Sequence, residues 1–321
     1  MTKVLKRFAP LVWLSIAGLA AWVLVERMEQ IDFGQVLQDL AAVPLPIMLL
    51  ALLCSAGVYT TVGLYEGIAV RLASGRDLRR QAFRTAVIAN PLGRAIGVAM
   101  ASGGALRYRM YAPEGLSIRE VGAIILLVAM PYVFGVGWLI DLSLLLHLQQ
   151  AARAFQLPVA VVTAFGVLGL AKDVGWLAFV ASRRKPITIR GQSIRLPSLR
   201  DALVQIAFGL SQISLMTTIL YLFMPEELNM TWPAFVAVYC LAFVAGQMSN
   251  VPAGLGVLEA ALFLMLPHVP AGKLVGSVLA YRAVYEVIPL GVALLLLLIY
   301  ETTNKAGVVR RKSRVRLKPE L

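Results

Sequence analysis

Several charged residues stand where their neighbours are too apolar to welcome them. Arg94 follows Ile88-Ala89-Asn90-Pro91-Leu92-Gly93, and Arg107 and Arg109 flank Tyr108 just after Ser102-Gly103-Gly104. Glu259 follows the Gly- and Pro-broken run Asn250 to Gly256, and Arg282 and Glu286 share one face of a long apolar run. Each such charge costs about 2.5–3.5 kcal/mol in hydrocarbon on insertion scales, so it must face protein, water or headgroups. Guanidinium forks and glycine amides suit a lipid phosphate. Glu259 and Glu286 suit a cationic headgroup. The candidate lipid-binding set is therefore Asn90, Arg94, Ser102, Gly103, Gly104, Arg107, Tyr108, Arg109, Asn250, Pro252, Gly254, Gly256, Glu259, Arg282 and Glu286. Each has a plainer reading. Arg282 and Glu286, one helical turn apart, can pair as structural glue, as can Lys172 and Asp173. Arg107 and Arg109 can snorkel, and Glu259 can serve a helix N-terminus.

The elements that carry these residues follow from composition. The chain has 321 residues, 59% hydrophobic and only 15% charged, with a mean hydropathy of +0.78. Its apolar residues come in runs, at 11–25, 46–70, 118–146, 158–182, 202–224 and 274–300, each near or above the roughly 20 residues that cross a bilayer as a helix. The expectation is an all-α polytopic membrane protein, with an uncleaved first span rather than a signal peptide. Most of the 30 Lys and Arg cluster: before the first run, from Arg71 to Arg84, from Arg183 to Arg200, and from Lys305 onward. The alternate connections are poor in them, which places both termini and the central loop in the cytoplasm. The net charge of +13 thus fits anionic headgroups beside apolar spans, not nucleic acid.

With that orientation, residues 83–111 start and end on the cytoplasmic side. They are expected to form a re-entrant hairpin, turning at Asn90–Gly93 or at Ser102–Gly104. Residues 234–267 do the same from the other side, turning at Asn250–Gly254. Broken backbone at membrane depth is tolerated only where protein or a watery cavity covers it. The chain then divides into two inverted repeats, 1–146 and 158–300, each of about three spans and one re-entrant hairpin, within a single transmembrane domain. A basic cytoplasmic tail, 301–321, follows. A faint echo joins the halves: a glycine-led turn at Gly115 and Gly272, then a proline in the last span at Pro131 and Pro289. Inverted repeats with broken helices are a recurrent transporter architecture.

Catalytic and metal sites are not expected. Cys54 and Cys240 lie inside apolar runs without a CxxC or a nearby His. His147 and His268 sit near expected helix ends. Walker, HExxH and GxSxG patterns are missing, so no cofactor is implied.

The stretches SGGALRYRMYAPEGLS and SNVPAGLGVLEAAL resemble the membrane domain of the lysylphosphatidylglycerol synthetase/flippase family and its stand-alone YbhN-like (UPF0104) relatives. The resemblance extends over essentially the whole chain and is most specific at Gly104–Tyr111 and Pro252–Glu259. It implies an inner-membrane lipid translocator acting on phospholipid or aminoacylated phosphatidylglycerol. The cytosolic aminoacyltransferase domain of that family has no counterpart after Tyr300, so the chain is not expected to be an enzyme. The expected partners are anionic membrane phospholipids, with a homo-oligomer and a separately encoded synthase kept open. The alternatives are a membrane enzyme on lipid-linked substrates and a docking partner for such a synthase.

Overall fold

Hydrocarbon offers a backbone no partners, so apolar runs close their hydrogen bonds within themselves as helices. The computed structural model describes residues 43–96, 99–182, 187–189, 192–194, 198–249, 251 and 254–316. In chain order these give α1 (Leu45–Ser74), α2 (Arg79–Ile96), α3 (Ala99–Tyr111), α4 (Ile118–Leu146), the short α5 (Leu148–Phe155) and α6 (Val159–Ser182). There follow α7 (Leu199–Phe223), α8 (Trp232–Met248), α9 (Val257–Met265), α10 (Ala271–Arg282), a π-helical turn (Ala283–Val287) and α11 (Ile288–Arg316). Helices α1, α4, α6 and α7, and the stretch Ala271–Thr303, are long and apolar enough to cross a membrane. The molecule is an all-helical, multi-pass membrane protein. The remaining expected span, 11–25, lies outside the described residues, as do Asn250 and Pro252. A small departure from the helical expectation is a two-stranded ribbon in the central loop, where β1 (Ile187–Ile189) pairs antiparallel with β2 (Gln192–Ile194).

Polar caps mark where α4 and α7 begin. Ser117 Oγ accepts from the Glu120 amide at 3.3 Å while Glu120 Oε2 accepts from the Ser117 amide at 2.7 Å. Ser198 and Asp201 repeat the reciprocal pair at 3.2 Å each way. Such capping boxes satisfy amides that a helix start leaves open.

Two helical hairpins enter the bundle from opposite ends. The first is α2–α3. Gln81 Nε2 donates to the Met110 carbonyl at 2.9 Å, and Arg76 donates to the Glu114 carbonyl, so both arms begin and end beside the start of α4. The second is α8–α9. Ser143 Oγ, near the far end of α4, donates to the Pro233 carbonyl at 2.6 Å. At that same end His268 Nε2 meets the Leu228 carbonyl at 3.2 Å. Lys273 there pairs with Glu227 and holds the Glu227 carboxyl below the usual carboxylate range. The arms are short: α3 has 13 residues and α9 nine, or about 20 and 13 Å against a hydrocarbon core of roughly 30 Å.

The packing partners of the two hairpins correspond. Helix α1 packs on α2 as α7 packs on α8, and α4 packs on α8 as α11 packs on α2. Helices α1 and α7 meet each other directly. Helices α4 and α7 cross in close contact. A Cβ on Gly209 would lie 2.0 Å from the Pro131 carbonyl oxygen, and one on Gly135 would lie 2.4 Å from the Gly209 backbone. Only glycine lets the backbones touch there.

The first hairpin turns elsewhere than expected. Both Asn90–Gly93 and Ser102–Gly104 are helical: α2 ends at Ile96 and α3 begins at Ala99. Pro91 is tolerated inside α2, where Asn90 Nδ2 donates to the Ala86 carbonyl at 2.8 Å. Leu92 is buried in an apolar cluster with Ile88, Met110 and Ala293. The glycines serve contact instead of reversal: Gly103 faces Ala89 and Gly93 of the opposite arm, and a Cβ on Gly104 would come 3.0 Å from Ile125. In the second hairpin α8 ends at Met248 and α9 begins at Val257, and of the expected turn Asn250, Pro252 and Ala253 lie outside the described residues. The segment between Met248 and Val257 includes Gly254 at φ 62° and Gly256 at φ 79°. A Cβ on Gly254 would lie 3.0 Å from Gly246 Cα. The echo at Gly272 fails, since Gly272 lies within α10 and the turn precedes it, whereas Gly115 does cap its turn at φ 79°.

Candidate functional site

Glu66, which sequence reasoning passed over, anchors one polar group. It is fully buried on α1. Arg107 on α3, 5% exposed, grips it with a bidentate fork, Nε to Oε1 at 3.0 Å and Nη2 to Oε2 at 2.8 Å. Tyr111 OH donates to Oε1 at 3.0 Å. Arg107 Nη2 also reaches Asn90 Oδ1 at 3.3 Å, and Nη1 reaches the Gly103 carbonyl at 3.5 Å. The fork expected to hold a phosphate is thus filled by a carboxylate of the chain itself. The signal was available: Glu66 is the lone charge within residues 46–70.

One helical turn beyond Asn90 on α2, Arg94 begins a second group. Its guanidinium stacks on the Tyr285 ring, 4.3 Å from the centroid, and donates to the Tyr285 hydroxyl. It also lies 3.6 Å from Glu286 Oε1. Glu286 Oε2 accepts from Arg282 Nη1 at 2.9 Å. Arg282 then forks onto Glu259, Nε to Oε1 at 2.7 Å and Nη2 to Oε2 at 3.1 Å. Glu259 Oε2 accepts the Gly256 amide at 2.9 Å, and Arg282 Nη2 approaches the Gly254 carbonyl at 3.4 Å. The line Arg94–Glu286–Arg282–Glu259 therefore runs from the first hairpin, across the broken last span, to the second hairpin. Arginines 94, 107 and 282 are matched by glutamates 66, 259 and 286. Buried ions hold together only when paired and hydrogen-bonded in this way.

The break in the last span has its own chemistry. Ile288 donates back to the Ala283 carbonyl in π geometry, and Pro289 has no amide to give. Two side chains of α1 take up the freed carbonyls: Ser55 Oγ donates to Val284 at 3.0 Å and Tyr59 OH to Tyr285 at 3.1 Å. Tyr285 packs on Tyr59 and Tyr281, with ring centroids at 6.0 and 5.3 Å, and the Tyr281 hydroxyl meets that of Tyr239 at 2.8 Å. π-Turns of this kind are frequent at functional sites.

Other candidates fall outside these groups. Tyr108 is exposed, and Arg109 is an exposed partner of Glu301 at 2.7 Å. Ser102 lies in α3. Lys172 pairs with Asp173 at 2.8 Å and also reaches Asp141 on α4 at 3.7 Å, a partner the sequence reading did not supply. Among the described residues no cluster of His, Cys, Asp and Glu could hold a metal ion.

No protein-family model matches the chain. It is 32% identical over 224 residues to slr0712, an uncharacterized protein of Synechocystis sp., a match covering 69% of each chain. It is 33% identical over 132 residues to the inner membrane protein YbhN of Escherichia coli, covering 40% of this chain and 41% of YbhN.

Proposed function

The chain is a YbhN-like membrane protein of one family with slr0712, and from that premise we propose that it translocates lipid across the bacterial inner membrane. The observation that carries this reading is the charged line joining Arg94, Glu286, Arg282 and Glu259. Its members sit on two hairpins that enter from opposite ends and on a span broken by a π-turn and a proline between them. An isolated charge at that depth is expensive. A lipid headgroup can relieve the cost of opening the line, because its phosphate can replace a carboxylate on a guanidinium, or its ammonium a guanidinium on a carboxylate. Each exchange leaves every charge paired. The corresponding packing of the two hairpins supports reading 1–146 and 158–300 as inverted repeats, the architecture in which substrates sit at the repeat interface. Both termini are assigned to the cytoplasm from the basic clusters.

The test is transbilayer movement of a headgroup-labelled phospholipid in proteoliposomes of the purified chain, read with a membrane-impermeant quencher. Labelled lipid should become accessible in vesicles with protein and stay protected in vesicles without it. Glu286→Gln should slow exchange about tenfold or more, the effect of 1.4 kcal/mol or more on the barrier. Equal protection with and without protein would overturn the translocator reading.

A further inference from the structure

At the end of the bundle that carries Arg71 to Arg84, a groove of about 230 Å³ opens between α1, α2 and α7, lined by Leu64, Gly67, Ile68, Arg71, Arg79 and Phe208. The four α1 residues recur at i, i+3, i+4 and i+7, which puts them on one helical face. That face is graded. Leu64, Gly67 and Ile68 lie within the span and are apolar, and Arg71 comes in the last turn of α1. Phe208 is held against the groove by Tyr65, at 5.7 Å between ring centroids. Gly67 lets α2 lie close at the floor: a Cβ there would sit 3.7 Å from Arg79 Cα, so a longer side chain would press on Arg79 and crowd the groove between the two helices.

The mouth carries an excess of positive charge. Arg79 is paired at 3.1 Å with Asp77, and both are exposed. The Arg71 side chain is exposed too, with no ion pair or hydrogen bond among the described residues. Two guanidiniums thus face one carboxylate. Arg80 and Arg84 add to the field along α2. Apolar walls at membrane depth below cationic forks at the interface fit one kind of occupant: an amphiphile with hydrocarbon chains and an anionic phosphodiester head.

We propose that this groove is a binding site for an anionic phospholipid of the adjacent leaflet, separate from the charged line between the hairpins. It goes beyond the translocation reading and does not depend on it. Such a lipid would lay an acyl chain along Leu64, Ile68 and Phe208 and present its phosphate to Arg71 and Arg79. A zwitterionic lipid brings its own cation to a mouth that is already cationic, so it binds less well.

The experiment is native mass spectrometry of the detergent-purified protein titrated with phosphatidylglycerol or phosphatidylcholine, with melting profiles as the folding control. The wild type should bind phosphatidylglycerol preferentially. Arg71→Gln with Arg79→Gln should lower that affinity on the order of twenty-fold, each basic residue near an anionic surface contributing about a fivefold factor. Gly67→Leu should weaken binding with both arginines retained, by crowding the groove beside Arg79, and Arg80→Gln with Arg84→Gln should leave it within about twofold. The proposal is overturned if the groove pair and the Arg80/Arg84 pair weaken binding equally. It is likewise overturned if Gly67→Leu has no effect while glycerophosphate competes as well as the lipid, because the site is then a basic surface that needs no acyl chain.

Discussion

Removing the charge of Glu66 should destabilise the protein more than any other single-residue isosteric change in the site. Arg107 is 5% exposed, and its fork is filled by Glu66 at 2.8 and 3.0 Å. Glu66→Gln keeps the shape and still accepts from Tyr111, but it leaves a guanidinium buried without a counter-charge. Breaking one side of a buried pair costs about 3–5 kcal/mol. That is a large part of the roughly 5–15 kcal/mol that holds a typical domain folded. At roughly 2–4 °C per kcal/mol, the apparent melting temperature in detergent should fall on the order of 10 °C. The double change Glu66→Gln with Arg107→Met removes both charges, and apolar replacement of a whole buried pair is often neutral. It should recover most of the loss, giving a coupling energy of about 2–4 kcal/mol in the cycle. A single variant melting within about 1 °C of wild type, or a double variant melting below both singles, would refute the argument that Glu66 and Arg107 stabilise each other as ions.

Four further expectations use other contacts. Gly209→Ala should collapse the yield of monodisperse protein in size-exclusion profiles, since its Cβ would lie 2.0 Å from the Pro131 carbonyl oxygen and neither backbone can retreat. Ser55→Ala and Tyr59→Phe each strand a carbonyl of the π-turn and should cost about 1–3 kcal/mol in melting experiments, with Pro289→Ala partly restoring the first. Arg109→Lys should change stability by less than about 1 kcal/mol, because its pair with Glu301 is exposed, whereas Arg107→Lys loses a buried fork and should melt clearly lower. Reporters fused at the C-terminus should read cytoplasmic and reporters within 226–229 periplasmic; the reverse would overturn the proposed orientation.

The spans were legible because hydrocarbon imposes a single signal, about twenty apolar residues, and the runs at 46–70, 118–146, 158–182, 202–224 and 274–300 each lie, to within a residue at either end, inside a helical stretch long enough to cross. Glycine and proline were harder to read, because each answers to two different demands. At Gly254 and Gly256 glycine makes a turn with positive φ. At Gly103, Gly104, Gly135 and Gly209 it makes room for a neighbouring helix, and nothing local distinguishes the two uses. Hence the first hairpin was expected to turn at Asn90–Gly93 or Ser102–Gly104, and both stretches are helical instead. Pairing showed the same limit. Arg282 with Glu286 was readable because four residues separate them along the chain. Glu66 with Arg107, Arg282 with Glu259 and Asp141 with Lys172 join separate elements, and only the folded chain brings them together.

The matching of Arg94, Arg107 and Arg282 by Glu66, Glu259 and Glu286 has an electrical consequence. A displaced elementary charge exchanges about 2.3 kcal/mol with the membrane per 100 mV that it traverses. The six side chains sum to zero, so any movement that carries them together through the bilayer exchanges almost none, whatever the resting voltage. A passing phosphate or ammonium has no such exemption. Current or voltage dependence recorded as these six groups move would then report the valence of the cargo, with the six electrically silent behind it.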